Sequence, residues 1–555
     1  MFTNKPFVFI KSKKYITLCV KISINQISMK VLTAEQIRQA DQYTIENEPI
    51  SSIALMERAA EKCTDWLLQD ADSPLNIFWT SSKRSVKIFC GAGNNGGDGL
   101  VIARKLAEED FPDVQVFLVL FSDKFPPDFH TNMEILVAFE ESLPNLKIDY
   151  IKDENNFPTF DKNDVVVDAI FGSGLNKPVT GFTAKLIHQI NESGAKIIAI
   201  DVPSGLFAEI NTEIDARAII KANYTLTFEF PKLAFLYDQN YTFTGEVNVL
   251  SIGLHPDFIA QVTTPHFIIT EEYVEKIVKP RNRVAHKGSF GHALLVVGSE
   301  GKMGSGVLAA RACLRAGVGL LTLHIPKCGY QILQTSTPEA MVEIDKKKKF
   351  VSKIFSETTD LDRYTTIGIG CGIGKNKKTI QAFLDLLQAY SKPMVIDADA
   401  LNILAEIPTS WDSIPPNSIL TPHPKEFERL FGKTPNASAR HQLQLAMSKQ
   451  RQIFIVLKGA TTCITTPDGR SYFNNEVGNV GMATGGSGDV LTGILTSLLA
   501  QGYTPEESAL LGVYLHGLAG DIARNRLNEE SMIASDIIRG IPKAINSFKE
   551  SDLPF

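Results

Sequence analysis

The densest run of chemistry-bearing residues is Gly91-Ala92-Gly93-Asn94-Asn95-Gly96-Gly97-Asp98-Gly99. Glycines let a backbone approach phosphate closely, and the free N–H groups at a helix start hold an anion. Gly91, Gly93 and Gly96 satisfy the dinucleotide pattern G-x-G-x-x-G, which alone points to a dehydrogenase. That reading lacks its ribose-binding acid, because the next strand ends around Phe121-Ser122-Asp123. Asn94, Asn95 and Asp98 instead bring polar side chains into the loop, and a plain turn needs one or two glycines rather than five. Two further clusters, Asp168-Ala169-Ile170-Phe171-Gly172-Ser173-Gly174 and Asp201-Val202-Pro203-Ser204-Gly205, end apolar runs. An acid there is often only a turn cap. In a parallel sheet, however, the carboxyl ends of strands share one edge, so both clusters are expected to converge with the asparagine loop.

The second half carries its own candidate. Met482-Ala483-Thr484-Gly485-Gly486-Ser487-Gly488-Asp489 precedes the helical run 490–495, giving an anion hole at a helix N-terminus with a carboxylate inside it. A carboxylate beside phosphate repels the ligand unless it takes a proton from an attacking hydroxyl, so Asp489 is the expected general base. The bland alternative is an acid capping its own helix. Asp397-Ala398-Asp399-Ala400-Leu401-Asn402, Thr421-Pro422-His423-Pro424-Lys425-Glu426 and Lys458-Gly459-Ala460-Thr461-Thr462 each follow a strand-like run. His423 stands in a stiff loop between two prolines. The glycines of 298–306 are not a Walker loop, since no G-K-[ST] stands at the required spacing.

The elements that must position these residues follow from the apolar runs. Runs at 86–90, 114–120, 165–167, 196–200 and 226–228 alternate with helical stretches such as 100–107, the rhythm of a mainly parallel sheet covered on both faces. The rhythm restarts at 293–297 and continues at 320–324, 366–369, 394–396 and 453–457, with a helix over 307–316. Two α/β domains are therefore expected: an extension at 1–28, a domain at 29–255, a connector at 256–279 and a second domain at 280–550. Thr33 is expected to cap a helix starting at Ala34.

A chain of 555 residues exceeds what one core normally serves, and 44% hydrophobic content fills two. Net charge of -6 gives no electrostatic reason to bind phosphate polymers, so nucleic acid is not an expected partner. Seven cysteines without a C-x-x-C pair suggest neither a disulfide framework nor a zinc site and favour a reducing compartment. Lys11, Lys13 and Lys14 precede a short apolar run at 15–20, but that run is broken by Lys21 and has no small-x-small cleavage site. No membrane association is expected.

The motifs GAGNNGGDG, VVDAIFGSGL, AIDVPSG and TFEFPK in the first half resemble the epimerase half of the bifunctional NAD(P)H-hydrate repair enzymes. MATGGSGDVLTG, TPHPKEF and KGATT resemble their ADP-dependent dehydratase half. The resemblance implies an N-terminal Rossmann-like αβα sandwich and a C-terminal ribokinase-like αβα domain. It implies that Asn94, Asn95, Gly96, Gly97, Asp98, Gly172, Ser173, Gly174, Leu175, Asn176, Lys177, Pro178 and Asp201 contact the hydrated dinucleotide, and that Asn95, Asp168 and Ser204 hold potassium. Asp201 or Lys232 supplies the proton for epimerisation; the residues do not choose between them. In the second half it implies that Lys458, Gly459, Ala460, Thr461, Thr462 and Gly488 hold ADP, with magnesium, while Gly306, Gly374, His423 and Asp489 face the hydrate. A cytoplasmic homo-oligomer acting only on small molecules is expected. The competing reading is a C-terminal small-molecule kinase carrying an N-terminal nucleotide-binding scaffold.

Overall fold

The computed structural model describes residues 29–69, 85–122, 124–210, 215–356 and 360–550, so the extension 1–28, Cys19 and Asp123 lie outside the described residues. The chain divides into two units, Val31–Thr263 and a second formed by Thr264 onward together with the short segment ending at Lys30.

In chain order the first strand, β1 (Met29–Lys30), belongs to the second unit. The first unit holds β2 (Val86–Gly91), β3 (Val114–Val119), β4 (Leu146–Ile151), β5 (Val165–Ala169), β6 (Lys196–Ile200), β7 (Tyr224–Phe228) and β8 (Glu246–Leu250), all parallel, in the order β4-β3-β2-β5-β6-β7-β8. Its helices are α1 (Ala34–Asn47), α2 (Ser52–Gln69), α3 (Asn94–Glu108), α4 (Pro127–Glu140), α5 (Gly181–Glu192), α6 (Tyr241–Thr244) and α7 (Pro256–Gln261). Thr33 caps α1 as expected, in a reciprocal capping box with Gln36. Period-two alternation gives each strand two buried faces. Ile88 and Cys90 of β2 join Leu67, Leu100 and Phe129 in one core, whereas Phe89 joins Val166, Leu186 and Ile187 in the other. Strand order reverses between β2 and β5, the crevice where open α/β sheets place ligands.

The second unit adds β9 (His266–Ile268), β10 (His292–Val296), β11 (Leu320–Ile325), β12 (Met341–Ile344), β13 (Thr366–Ile369), β14 (Val395–Ile396), β15 (Ile419–Leu420), β16 (Phe454–Leu457), β17 (Thr462–Thr465) and β18 (Ser471–Asn474). Its sheet runs β1-β9-β18-β17-β16-β15-β14-β13-β10-β11-β12, parallel from β12 to β16 and extended by the antiparallel β17 and β18. Helices α8 (Glu271–Ile277), α9 (Met303–Arg315), α10 (Tyr330–Ser336), α11 (Lys377–Ala389), α12 (Ala398–Glu406), α13 (Pro424–Phe431), α14 (Ala437–Arg451), α15 (Ser487–Ala500), α16 (Pro505–Arg526) and α17 (Ala534–Glu550) complete it. Both units are α/β. Among the described residues no helix is long and apolar enough to cross a membrane.

The span 256–279, expected as a connector, is folded and divided. Helix α7 completes the first unit, its Ile259 buried with Leu32 and Ile252, while β9 pairs with β18 and β1 in the second sheet. A three-residue strand whose partners lie far away in sequence leaves no local periodicity to detect.

Candidate functional site

In the first unit, Asn94, Asn95, Gly96, Gly97 and Asp98 open α3 directly after β2. Four of the five glycines are required by packing, a demand that the sequence expectation of ligand approach did not include. A Cβ on Gly91 would stand 1.9 Å from the Ile170 carbonyl oxygen, one on Gly96 1.8 Å from that of Gly91, and one on Gly97 2.7 Å from the Met56 sulfur. Only Gly93 of this loop has open space. The loop is glycine-rich because α3 is set close onto the sheet.

Asn95 is 8% exposed and donates through Nδ2 to the carbonyls of Phe171 (3.0 Å) and Ile200 (3.2 Å). Its Oδ1 is buried without a hydrogen-bond partner. Asp168, fully buried in β5, accepts from Ser204 Oγ (2.5 Å) and the Ser204 backbone N–H (2.8 Å), joining the ends of β5 and β6. Burial pushes its carboxyl up to about 6 despite those bonds. The loop after β5 carries Gly172, Ser173 and Leu175 half-buried, with Gly174, Asn176, Lys177 and Pro178 exposed.

Asp201 follows β6 in a left-handed conformation, φ 61°, which an L-residue holds only under strain. Its carboxylate accepts from the Ser173 N–H (3.1 Å) and lies 2.8 Å from Lys232 Nζ. Burial opposes the charge, yet the Lys232 ammonium holds Asp201 below its ordinary value. Lys232 is 1% exposed and also donates to the carbonyls of Phe228 and Phe230, so all three of its N–H groups are engaged. Two acids complete the group. Burial, then the charges of Asp201 and Asp41, push Asp98 well above the carboxylate range. Asp41, on α1, is pushed to about 7 by burial and then by Asp201. The site thus sets a carboxylate of lowered proton affinity, Asp201, beside two acids of raised proton affinity, an acceptor and donors for proton transfer. Asp41 escaped the sequence reading because no glycine or motif marks it.

In the second unit a cavity of about 460 Å³ is lined by Gly301, Lys302, Gly304, Ser305, Gly372, Ala398, Asp399, Asn402, Glu426 and Asp489. Asp489 is the third residue of α15, whose N-cap Gly486 has φ 93°. Burial, aided by Asp397 and Asp399, pushes its carboxyl to about 6, against the pull of the Cys371 thiol and Lys458. Gly374, φ 73°, donates its N–H to Asp399 Oδ2 at 2.8 Å, and Lys302 Nζ reaches the same oxygen at 3.2 Å. Lys458 closes β16 and leads through the exposed Gly459 and Ala460 and half-buried Thr461 into β17, which Thr462 opens. Gly488 lies against the Lys458 ammonium, 3.4 Å from where a Cβ would stand.

Two expectations change here. Gly306 is buried on α9 against Val297, so a side chain there meets the core, and it is Gly304 and Ser305 that line the cavity. His423 is the N-cap of α13, its Nδ1 accepting from the backbone N–H of Lys425 (3.1 Å) and Glu426 (3.3 Å). Those bonds fix Nδ1 as acceptor, while Nε2, on a half-exposed ring, faces Glu426 Oε1 at 3.5 Å. Asp399 and Glu426 fall within sequence motifs and Lys302 within the glycine-rich segment 298–306, but only the folded chain shows them sharing a cavity with Asp489.

Residues 293–543 match the NAD(P)H-hydrate dehydratase family, and residues 52–234 match the family described as YjeF-related protein N-terminus. The chain is 35% identical over 541 residues to the bifunctional NAD(P)H-hydrate repair enzyme Nnr of Moorella thermoacetica, covering 94% of this chain and 98% of that one. The Escherichia coli K12 protein of the same name is 33% identical over 462 residues, 83% of this chain and 84% of its own. A crystal structure of the ADP/ATP-dependent NAD(P)H-hydrate dehydratase from Bacillus subtilis, co-crystallised with ATP/Mg2+, is 29% identical with a TM-score of 0.45, covering 51% of this chain and 98% of that one.

Proposed function

Because the chain belongs to the bifunctional NAD(P)H-hydrate repair enzymes, we propose that it returns hydrated NADH and NADPH to the reduced coenzymes, the first unit interconverting the R and S hydrates and the second dehydrating the S form with ADP. The observation that carries this reading is Asp489, held near pH 6 at the N-terminus of α15 on the wall of an open cavity. The hydrate's hydroxyl is a poor leaving group. Asp489 takes its proton as the oxygen attacks the terminal phosphorus of ADP, giving AMP and a phosphorylated hydrate. The C–O bond of this ester then breaks and inorganic phosphate leaves as the ring nitrogen pushes, and loss of the neighbouring proton restores the double bond. Lys458, Gly459, Ala460, Thr461, Thr462 and Gly488 are the proposed nucleotide contacts, and Gly374, His423 and Asp489 those of the hydrate.

In the first unit the hydrated carbon stands beside the ring nitrogen and inverts by reversible opening, which needs a base and an acid. Asp201 is the proposed base and Lys232 its fixed counter-ion, with Asn94, Asn95, Gly96, Gly97, Asp98 and the 172–178 loop enclosing the dinucleotide. Potassium fits this site: the orphaned Asn95 Oδ1 is an oxygen without a partner, next to the Asp168–Ser204 pair. Asn95, Asp168 and Ser204 would hold it, and the ion would neutralise a buried carboxylate between β5 and β6. Magnesium is proposed as part of the nucleotide substrate, since no described cluster of three or more His, Cys, Asp or Glu forms a protein cage. A cytoplasmic setting is proposed, supported by cysteines scattered along the chain without a C-x-x-C pair. A homo-oligomer is proposed, supported by the exposed apolar Tyr330, Ile332, Met341 and Ile344 on α10 and the edge strand β12.

The test is to mix the chain with hydrated NADPH and either ADP or ATP. Recovered reduced-nicotinamide absorbance with release of inorganic phosphate supports repair. A stable phosphorylated product without recovered absorbance replaces it with a kinase, and activity with ATP alone refutes ADP as the donor.

A further inference from the structure

Asp397 ends β14 and occupies the N-cap position of α12, where an aspartate ordinarily turns its carboxylate onto the free N–H groups of its own helix. Here the side chain makes no cap bond. The carboxylate, in a residue 2% exposed, reaches to other elements: Oδ1 lies 3.0 Å from Lys458 Nζ at the end of β16, and Oδ2 accepts from Thr492 Oγ1 of α15 at 2.7 Å. The following residue, Ala398, has φ 48°, the left-handed region that a Cβ disfavours. Asp397 has therefore given up its helix cap, and Ala398 beside it a relaxed backbone.

What these sacrifices secure is a fixed ammonium. A Cβ on Gly488 would stand 3.4 Å from Lys458 Nζ and 3.8 Å from Asp397 Oδ2, which sets the ion pair against the first turn of α15. A lone cation at that end opposes the helix dipole, and Asp397 offsets it. The ammonium and the free amides of α15 are then together, the combination that receives a phosphate. Resting on the dehydratase reading above, we propose that Asp397 is a positioning residue for phosphoryl transfer, fixing Lys458 against α15 so that its ammonium meets the terminal phosphates of the nucleotide.

The same carboxylate reaches the base. Asp489 is faced by Cys371 after β13, Asp397 after β14, Asp399 on α12 and Lys458 after β16, and Asp397 adds to burial in raising its affinity for a proton. Glu426 joins Asp397 in favouring the charged Lys458, against its burial.

The test uses the full chain. Asp397→Asn keeps the volume and an acceptor for Thr492 while removing the charge. The expected result is a rise of about tenfold or more in the KM for ADP and ATP, little change in the KM for the hydrate, and an acid limb of kcat displaced to lower pH. Asp397→Glu, which keeps the charge, recovers part of each effect. In the Asp397→Asn/Lys458→Met double variant the nucleotide KM rises no further than in Lys458→Met alone. Calorimetric titration with ADP reads the same weakening without turnover, and an unchanged Tm together with the unchanged KM for the hydrate reports that the second unit is folded. An Asp397→Asn variant with unchanged nucleotide KM and unchanged acid limb overturns the proposal, as does a loss that tracks only a lower Tm. A wild-type chain inactive with both nucleotides overturns the dehydratase reading instead.

Discussion

At the scale of single residues, Asp489 makes the sharpest prediction. Asp489→Asn is nearly isosteric and keeps the first turn of α15, but it cannot accept the hydroxyl proton. Dehydration is expected to fall about 10²–10⁴-fold, with nucleotide binding retained and epimerisation untouched. Because the base acts ionised and burial holds it at about 6, wild-type kcat declines as pH drops below that value. Near-normal turnover by the variant removes Asp489 from the mechanism. Asp489 was legible in the sequence because its glycines and helix announce it within eight residues. Asp41 was not, since its environment is assembled from α1, the start of α3 and the end of β6, and nothing adjacent in sequence signals that meeting.

At the scale of elements, the glycine loop separates two readings that look identical in sequence. Gly96→Ala drives a methyl into the Gly91 carbonyl and is expected to cost about 3 kcal/mol or more in stability, whereas Gly93→Ala, with open space around it, stays within about 0.5 kcal/mol. Thermal unfolding distinguishes them, and equal Tm values for the two variants would show that the loop is not packed as described. A second prediction concerns β11 and β12. His324 is buried between Glu343, 3.8 Å away on β12, and Asp345 at 3.6 Å, whose carboxylate also anchors the Lys347, Ser352 and Lys353 amides. Burial opposes its charge, yet the two carboxylates raise its proton affinity above the ordinary value, while Glu343 is drawn down to about 2. A raised histidine stabilises fully below its unfolded value and loses that contribution as pH rises through its folded value. A depressed carboxylate stabilises above its unfolded value and loses it in acid. Stability of the second unit is therefore expected to decline as pH rises above neutrality, and His324→Gln to flatten that decline. An equally steep decline in the variant rules the histidine out. Legibility at this scale tracked length and burial. The central strands β2, β6, β10 and β13 announced themselves as apolar runs, but edge strand β4 reads LKIDYI with all four middle positions exposed or half-exposed, and β15 is two residues long.

At the scale of the whole molecule, each unit has its own sheet and its own cores, so each reaction has machinery of its own. The expected division placed a connector at 256–279, whereas the units meet at Thr263 and Thr264, and β1, whose two residues pair antiparallel with β9 in the second sheet, carries no pattern that assigns it there. Function at this scale is a sequence of reactions: spontaneous hydration yields both epimers, and a stereospecific dehydratase strands one of them unless the first unit returns it. Asp201→Asn removes the proposed base while leaving an amide to accept from Ser173. With a mixture of epimers and excess ADP, this variant is expected to recover NADPH rapidly from one epimer and then slow to the rate of spontaneous inversion. Adding the Asp489→Asn variant, inactive in dehydration but intact in epimerisation, restores rapid recovery to completion, because the intermediate passes through free solution between two different molecules. An Asp201→Asn variant that runs to completion unaided removes Asp201 from epimerisation. A plateau that the second variant does not relieve, with its epimerase activity verified separately, overturns the assignment of the two reactions to two independent sites.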